Sequence, residues 1–317
     1  FLDRAADRIF VFDGNGKTIS GLTINAWGSG VFAGLFGYSE GEIKNLNVNA
    51  NITLVGSAAN MNVALLCGKL GTRGVIEYCN VSGDINSAVN SETGGGTDAG
   101  IVAGQCLGSI SYCIASGNVT GIGYVGGIVG QLGDVWERQE NPGSIKACSF
   151  TGAVNSNKPV NNDTGREGSF GGGICGMASN NSTIEFCVAN ADITADKACN
   201  GISSTTVYSQ ADRIQVGTTD VTNSYAGGNI NGNPVDGSTI TNSNGTTTPL
   251  YYKGEMPAQD IVDELNDAIP EDEQDKFYFD VINGEVVLII GQRAVICNAP
   301  TNLRVTITGS TATISWD

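Results

Sequence analysis

A ten-residue block recurs along this chain, and its internal period restricts the fold more than any other feature. The copies are IKNLNVNANI from Ile43, IEYCNVSGDI from Ile76, ISYCIASGNV from Ile110, IKACSFTGAV from Ile145, IEFCVANADI from Ile184 and VTNSYAGGNI from Val221, with a weaker copy, ISGLTINAWG, from Ile19. Their starts lie 24 to 39 residues apart. That is the spacing of one coil in a solenoid, where each repeat buries its apolar face only against its neighbours. Within a block the fourth, sixth, eighth and tenth residues are apolar or small, as in Cys79, Val81, Gly83 and Ile85, and Asn80, Ser82 and Asp84 alternate with them. Period two marks a strand with one buried face.

A second block precedes most copies: AGLFG ending at Gly37, ALLCG at Gly68, GIVAG at Gly104, GGIVG at Gly130, GGICG at Gly176 and a degraded NGISS at Ser204. Its middle residue is always aliphatic: Leu35, Leu66, Val102, Ile128, Ile174 and Ile202. The terminal glycine of five copies predicts a following turn that needs the backbone freedom of Gly.

If like positions stack, Cys79, Cys113, Cys148 and Cys187 form an interior ladder of small hydrophobes, continued by Leu46 and Leu22 in the first copies. Zinc would call for cysteines or Cys/His paired at short spacing, and no such pair occurs. Stacked strands lie about 4.8 Å apart, within reach of a disulfide, but parallel side chains oppose the dihedral of about 90° that the bond requires. Free thiols are expected.

Composition agrees with strands and turns. The 317 residues include 45 glycines and no histidine, and only 15% are charged. Thirty-two acidic against 16 basic side chains give a net charge of -16, which repels nucleic acid and anionic membranes. No apolar run reaches the roughly 20 residues of a bilayer span. A start at Phe1 instead of Met fits a processed chain whose targeting segment is missing.

The GLFG, GIVG and GICG pieces, each followed by an Ile-x-x-(Leu/Cys) strand, resemble the GLUG-motif family of bacterial surface proteins, and FDGNGKTISGLTI (Phe12 to Ile24) looks like that family's first coil. The resemblance covers about Phe12 to Ile230, with Ser204 departing from the expected glycine. It implies an all-β fold, a right-handed parallel β-helix of the kind found in adhesin-like, secreted or surface-anchored proteins, and it implies no catalytic residue. About seven coils would make a rod section on the order of 34 Å long. On the outer face Lys44 would stack beside Glu77, and Lys146 beside Glu185.

The expected organisation is a β-helix over 1–248, a small α+β cap over 249–296 and a partial module over 297–317. In the cap, Pro257 would start a helix with Ile261, Leu265 and Ile269 on one face, and Asn283-Gly284 would turn a hairpin between FYFDVI and EVVLII. This cap is expected to cover an end of the solenoid. The final stretch, APTNLRVTITGSTATISWD, resembles the first two strands of a fibronectin type III domain, and the resemblance implies that the native chain continues into further β-modules.

Function is less sharply written. Asp84 and Asp192 are outer carboxylates, but three rungs separate them, too far for a glycosidase pair that needs about 5 to 9.5 Å. Without histidine the common nucleophilic triads are unavailable. Asp13-Gly-Asn-Gly lacks the further acidic ligands of a calcium loop and reads as a turn. The remaining candidates lie in the long insertions 134–143 and 155–170, where Trp136 with Asp134, Glu137 and Arg138 could stack on a sugar and fix its hydroxyls, or could fold back over the coil edge. The expectation is a non-enzymatic, extracytoplasmic adhesion or glycan-binding scaffold, monomeric, without cofactor or metal, whose partner is a glycan or a host or cell-surface protein. A polysaccharide-degrading β-helix enzyme and a structural spacer are the alternatives.

Overall fold

The computed structural model describes residues 10–59, 61–87, 96–134, 141–156, 169–179, 181–195, 198–204, 208–210, 213–215, 219–241, 249–292, 304–308 and 311–315. They are nearly all β. Three sheets of fifteen, six and five strands, parallel except for Asn233–Pro234 in the first, carry the chain, which visits them in turn and returns to each beside its previous strand. This arrangement is consistent with the expected parallel β-helix.

The repeated block builds the largest sheet. Its first positions stack in one column, Ile43, Ile76, Ile110, Ile145, Ile184 and Val221. Its sixth positions stack in another, Val48, Val81, Ala115, Phe150, Ala189 and Ala226, and all of these side chains are buried. Lying apolar residue on apolar residue, rung after rung, removes both from water, and this burial is the main source of cohesion along the stack.

First and fourth positions both face inward, which strict alternation forbids. The third residue resolves the conflict: Asn45, Tyr78, Tyr112, Ala147, Phe186 and Asn223 all have φ between 48° and 54°. One left-handed residue per rung turns a corner and resets the alternation. For Tyr, Ala and Phe this conformation costs roughly 1–2 kcal/mol each, so the packing on both sides of the corner must hold it.

The weak first copy has a different register from the one its sequence suggests. Phe12 pairs with Ile43, Ile19 with Val48, Leu22 with Ala50 and Ile24 with Ile52. Leu22 therefore stands outside the cysteine column, and the copy begins at Phe12. Two irregularities absorb the extra residues, one between Asp13 and Lys17 and one between Ser20 and Leu22. The first is the Asp-Gly-Asn-Gly turn, where Asp13 Oδ1 accepts hydrogen bonds from Asn15 N at 2.8 Å and Asn45 Nδ2 at 3.1 Å.

The glycine that ends the second block serves a purpose other than the expected one. Gly68, Gly104, Gly130 and Gly176 do not have positive φ. A Cβ on Gly104 would instead meet the backbone of Asn62 and Val63, and one on Gly176 that of Tyr124 and Val125. The second and third sheets approach backbone to backbone here, and only a residue without a side chain fits.

Eight cysteines are described, all as free thiols, and seven are buried; Cys297 lies outside the described residues. The fourth-position thiols also donate hydrogen bonds. Each points back to the carbonyl two residues earlier: Cys79 to Glu77 at 3.4 Å, Cys113 to Ser111 at 3.1 Å, Cys148 to Lys146 at 3.3 Å and Cys187 to Glu185 at 3.3 Å. Ser224 makes the same bond to Thr222 at 2.8 Å. Four of these carbonyls, on Ser111, Lys146, Glu185 and Thr222, also accept the corner N–H of the preceding rung, so the side-chain donor adds a second bond to an oxygen already in the ladder.

Beyond the stack, helix Ala258–Asp267 begins after Pro257, which is its N-cap, and buries Ile261, Val262 and Leu265. Strands Phe277–Ile282 and Glu285–Ile290 pair through a two-residue turn, with Asn283 at φ 55° and Gly284 at φ 81°. These elements lie along the flank of the stack, where an end cover was expected. Their core joins the corner column itself, since Tyr112, Ala147, Phe186, Tyr225 and Tyr251 pack with Ile261, Leu265, Phe277 and Phe279. Phe277 lies 6.0 Å from Tyr112 and 5.3 Å from Phe186 between ring centroids. Three of the six corner side chains, Tyr78, Tyr112 and Phe186, are aromatic, and the cap core covers Tyr112 and Phe186.

Candidate functional site

The tight glycine corner between the second and third sheets brings two outward columns together. One runs Phe32, Asn62, Asp98 along the second sheet, and Tyr124 and Phe170 pair further along it. The other runs Tyr38, Lys69, Gln105, Gln131 and Met177 along the third. Their meeting line, the groove, runs parallel to the axis.

Its far part is closed. Tyr124, Phe170 and Met177 form a buried cluster. Gln105 and Gln131 both donate to the carbonyl of Gly133, at 3.4 and 3.1 Å, and Asn62 donates to Gln105 Oε1 at 3.1 Å. These amides fix the floor.

The near part is open. Phe32 and Tyr38 are 39% and 47% exposed, with ring centroids 6.1 Å apart and planes tilted by 31°. Lys69 Nζ lies 5.6 Å from the centre of the Phe32 ring. Tyr38 donates to Glu40, and Arg73 Nε stands 3.8 Å from the Glu40 carboxylate.

Asp98 sits at the step between the two parts. It keeps part of its surface open to solvent while protein atoms surround the rest, as befits a groove floor. Burial pushes its carboxyl up to about 8, with Lys69 opposing and Asp134 reinforcing the shift. At neutral pH it is mostly the uncharged acid, able both to donate and to accept.

Of the residues singled out from sequence, Asp134 is placed beside this groove, where its N–H bonds the carbonyl of Asn141 at 3.1 Å and closes the base of the loop. Trp136, Glu137 and Arg138 lie outside the described residues. Asp84 and Asp192 fall in one outer column and stay apart: Asp84 Oδ1 accepts from Asn118 N and Nδ2, both at 2.9 Å, and Asp192 Oδ1 from Asn229 Nδ2 at 2.8 Å. Among the described residues no group of three or more His, Cys, Asp or Glu is placed to hold a metal ion.

Two strands of one rung, Tyr124–Gly126 and Val129–Leu132, one on each side of this groove, fall within a recognisable sequence unit. Residues 121–155 match the GLUG motif. Over 148 residues, 45% of its length, the chain is 32% identical to halomucin of Haloquadratum walsbyi and spans 2% of that protein. A crystal structure of a candidate immunoglobulin A1 protease from Bacteroides ovatus shares the fold, with a TM-score of 0.52 at 18% identity over 87% of this chain and 76% of that one. Among the described residues no helix is long and apolar enough to cross a membrane.

Asp98, Lys69 and the Phe32/Tyr38 pair were not among the residues picked out from sequence. A signal was present: the residue after each block-ending glycine is Tyr38, Lys69, Gln105, Gln131 and Met177, a column of large side chains in a chain rich in small ones.

Proposed function

We propose that this chain is an extracytoplasmic, non-enzymatic β-solenoid scaffold of a bacterial surface protein, making adhesive or glycan contacts through side chains held on its flank. In this reading it is a monomeric right-handed β-helix of about seven coils over 1–248, a flank-seated cap over 249–296 and the beginning of a fibronectin type III-like module over 297–317. The observation that carries the reading is the unbroken register of the columns from Ile43 to Val221. Such stacking gives a stiff platform on which grooves and loops keep fixed positions. The GLUG match and the likeness to a stretch of halomucin support a surface scaffold, and the antiparallel strands Arg304–Thr308 and Thr311–Ser315 are compatible with the start of a β-module.

Non-enzymatic use is supported by the roles of the outer carboxylates, since Asp84 and Asp192 accept hydrogen bonds from the next rung instead of facing each other. The glycan contacts are assigned to the insertion that begins at Asp134, with Trp136 as the stacking ring and Glu137 and Arg138 fixing hydroxyls. A glycan array with the chain and its Trp136→Ala variant tests this: signal from the first that vanishes in the second is the expected result. Release of cleaved sugars from an arrayed polysaccharide would overturn the non-enzymatic reading.

A further inference from the structure

The open part of the groove has a composition that the scaffold role leaves unexplained. Phe32 and Tyr38 are large, apolar and exposed at positions where the following rungs carry Asn62 and Lys69. Of their charged neighbours, Glu40 lies 3.8 Å from Arg73 and Lys69 lies over the Phe32 ring.

We propose that Phe32, Tyr38, Lys69 and Asp98 form a separate binding site for an uncharged glycan segment, lying along the axis and distinct from the Trp136 loop. The site rests on the reading of the chain as a glycan-binding scaffold. Three rungs at about 4.8 Å give it a length of about 10 Å, that of two linked pyranose rings. The tilted ring pair presents apolar faces to the C–H faces of a sugar. Lys69 and Asp98, one rung apart on opposite walls, supply a donor and a donor-acceptor to the hydroxyls along the edge of the segment.

Charge selects the class. Lys69 is engaged over the Phe32 ring, and Asp134 and the net charge of -16 disfavour carboxylated or sulfated sugars. Gly104 and Gly130 hold the two walls at a fixed separation, so the site is formed before the ligand arrives.

The test is binding of the full chain to neutral, carboxylated and sulfated oligosaccharides, with Phe32→Ala, Tyr38→Ala and Lys69→Met beside Trp136→Ala. Phe32 and Tyr38 are exposed, so unchanged circular dichroism and melting are expected to certify the fold of the variants. Affinity for one or more neutral oligosaccharides should fall about fivefold to tenfold on removing either ring, with anionic forms binding more weakly. Neutral-glycan binding that is lost in Trp136→Ala but unchanged in Phe32→Ala and Tyr38→Ala overturns this site and leaves the scaffold reading standing. Absence of any glycan binding overturns both, and preference for sulfated or carboxylated sugars overturns the assigned class.

Discussion

The ammonium of Lys146 lies 2.7 Å from the carboxylate of Glu273 and also reaches Glu185 on the next rung at 3.4 Å. One cation thus ties two successive rungs to the cap. Both side chains of the Lys146–Glu273 pair are partly buried, at 29% and 14% exposure, so solvent screens the pair incompletely. Glu273→Gln should lower stability by about 1 kcal/mol, and a double-mutant cycle with Lys146→Met should return a coupling of about 0.5–1 kcal/mol in urea denaturation. Zero coupling would mean that the ion pair does not help to hold the cap, leaving the aromatic contacts and the Asn190 bond to Val286.

The thiol column offers a second test. Cys148 donates to the carbonyl of Lys146, and Ser224 performs the same task with oxygen. Cys148→Ser should therefore keep more stability than Cys148→Val, which matches the volume but loses the side-chain bond, by about 0.5–1.5 kcal/mol, because the Lys146 carbonyl keeps its bond from the Tyr112 N–H. The opposite order would reduce the column to simple packing. Burial also pushes Cys67, Cys106, Cys175 and Cys187 up to about 12, so alkylation of these four thiols at pH 7.5 should need denaturant.

Asp98 makes stability depend on pH in an unusual direction for a carboxylate. Its folded pKa of about 8 exceeds the ordinary value of 3.8, so the folded chain binds the extra proton throughout that interval. Stability from this group is complete below about pH 4 and is lost progressively as pH rises to about 8. The charged groups facing it are Lys69 and Asp134. Asp98→Asn should flatten this part of the profile and raise the urea midpoint relative to the parent at pH 9. An unchanged slope would place the titration elsewhere.

Asp84 separates architecture from catalysis. Its Oδ1 receives the Asn118 backbone N–H next to Gly117, whose φ of 137° breaks the regular ladder. Asn51 does the same for the N–H of Asp84 at 2.9 Å. Asp84→Asn should accordingly change stability by less than about 0.5 kcal/mol, and Asp84→Ala should cost about 1 kcal/mol. A thermal melt of both variants checks the pair.

Columns with period two, such as Val48, Val81 and Ala115, were legible in the sequence because alternation and burial are the same fact seen twice. The corner was not, since Tyr78, Ala147 and Phe186 give no hint of a left-handed backbone; position in the stack imposes it against their own preference. For the first rung, Ile19 resembles a block start, and only pairing against Val48 reveals the residues looped out before it. Gly104 and Gly130 could be recognised as obligatory, but their reason, contact between two backbones, lies in three dimensions. The groove was overlooked for a related cause. Asp98 and Lys69 are 29 residues apart in sequence and are brought together only by the crossing of two sheets.

The flank-seated cap changes how tension would travel through the molecule. The helix and hairpin grip Tyr112, Lys146, Phe186 and Asn190, which belong to three successive rungs. A pull applied beyond Gln292 would load several rungs side by side in shear, instead of peeling the last strand from the stack one bond at a time. A fastening of that kind suits a part that must carry load without unravelling.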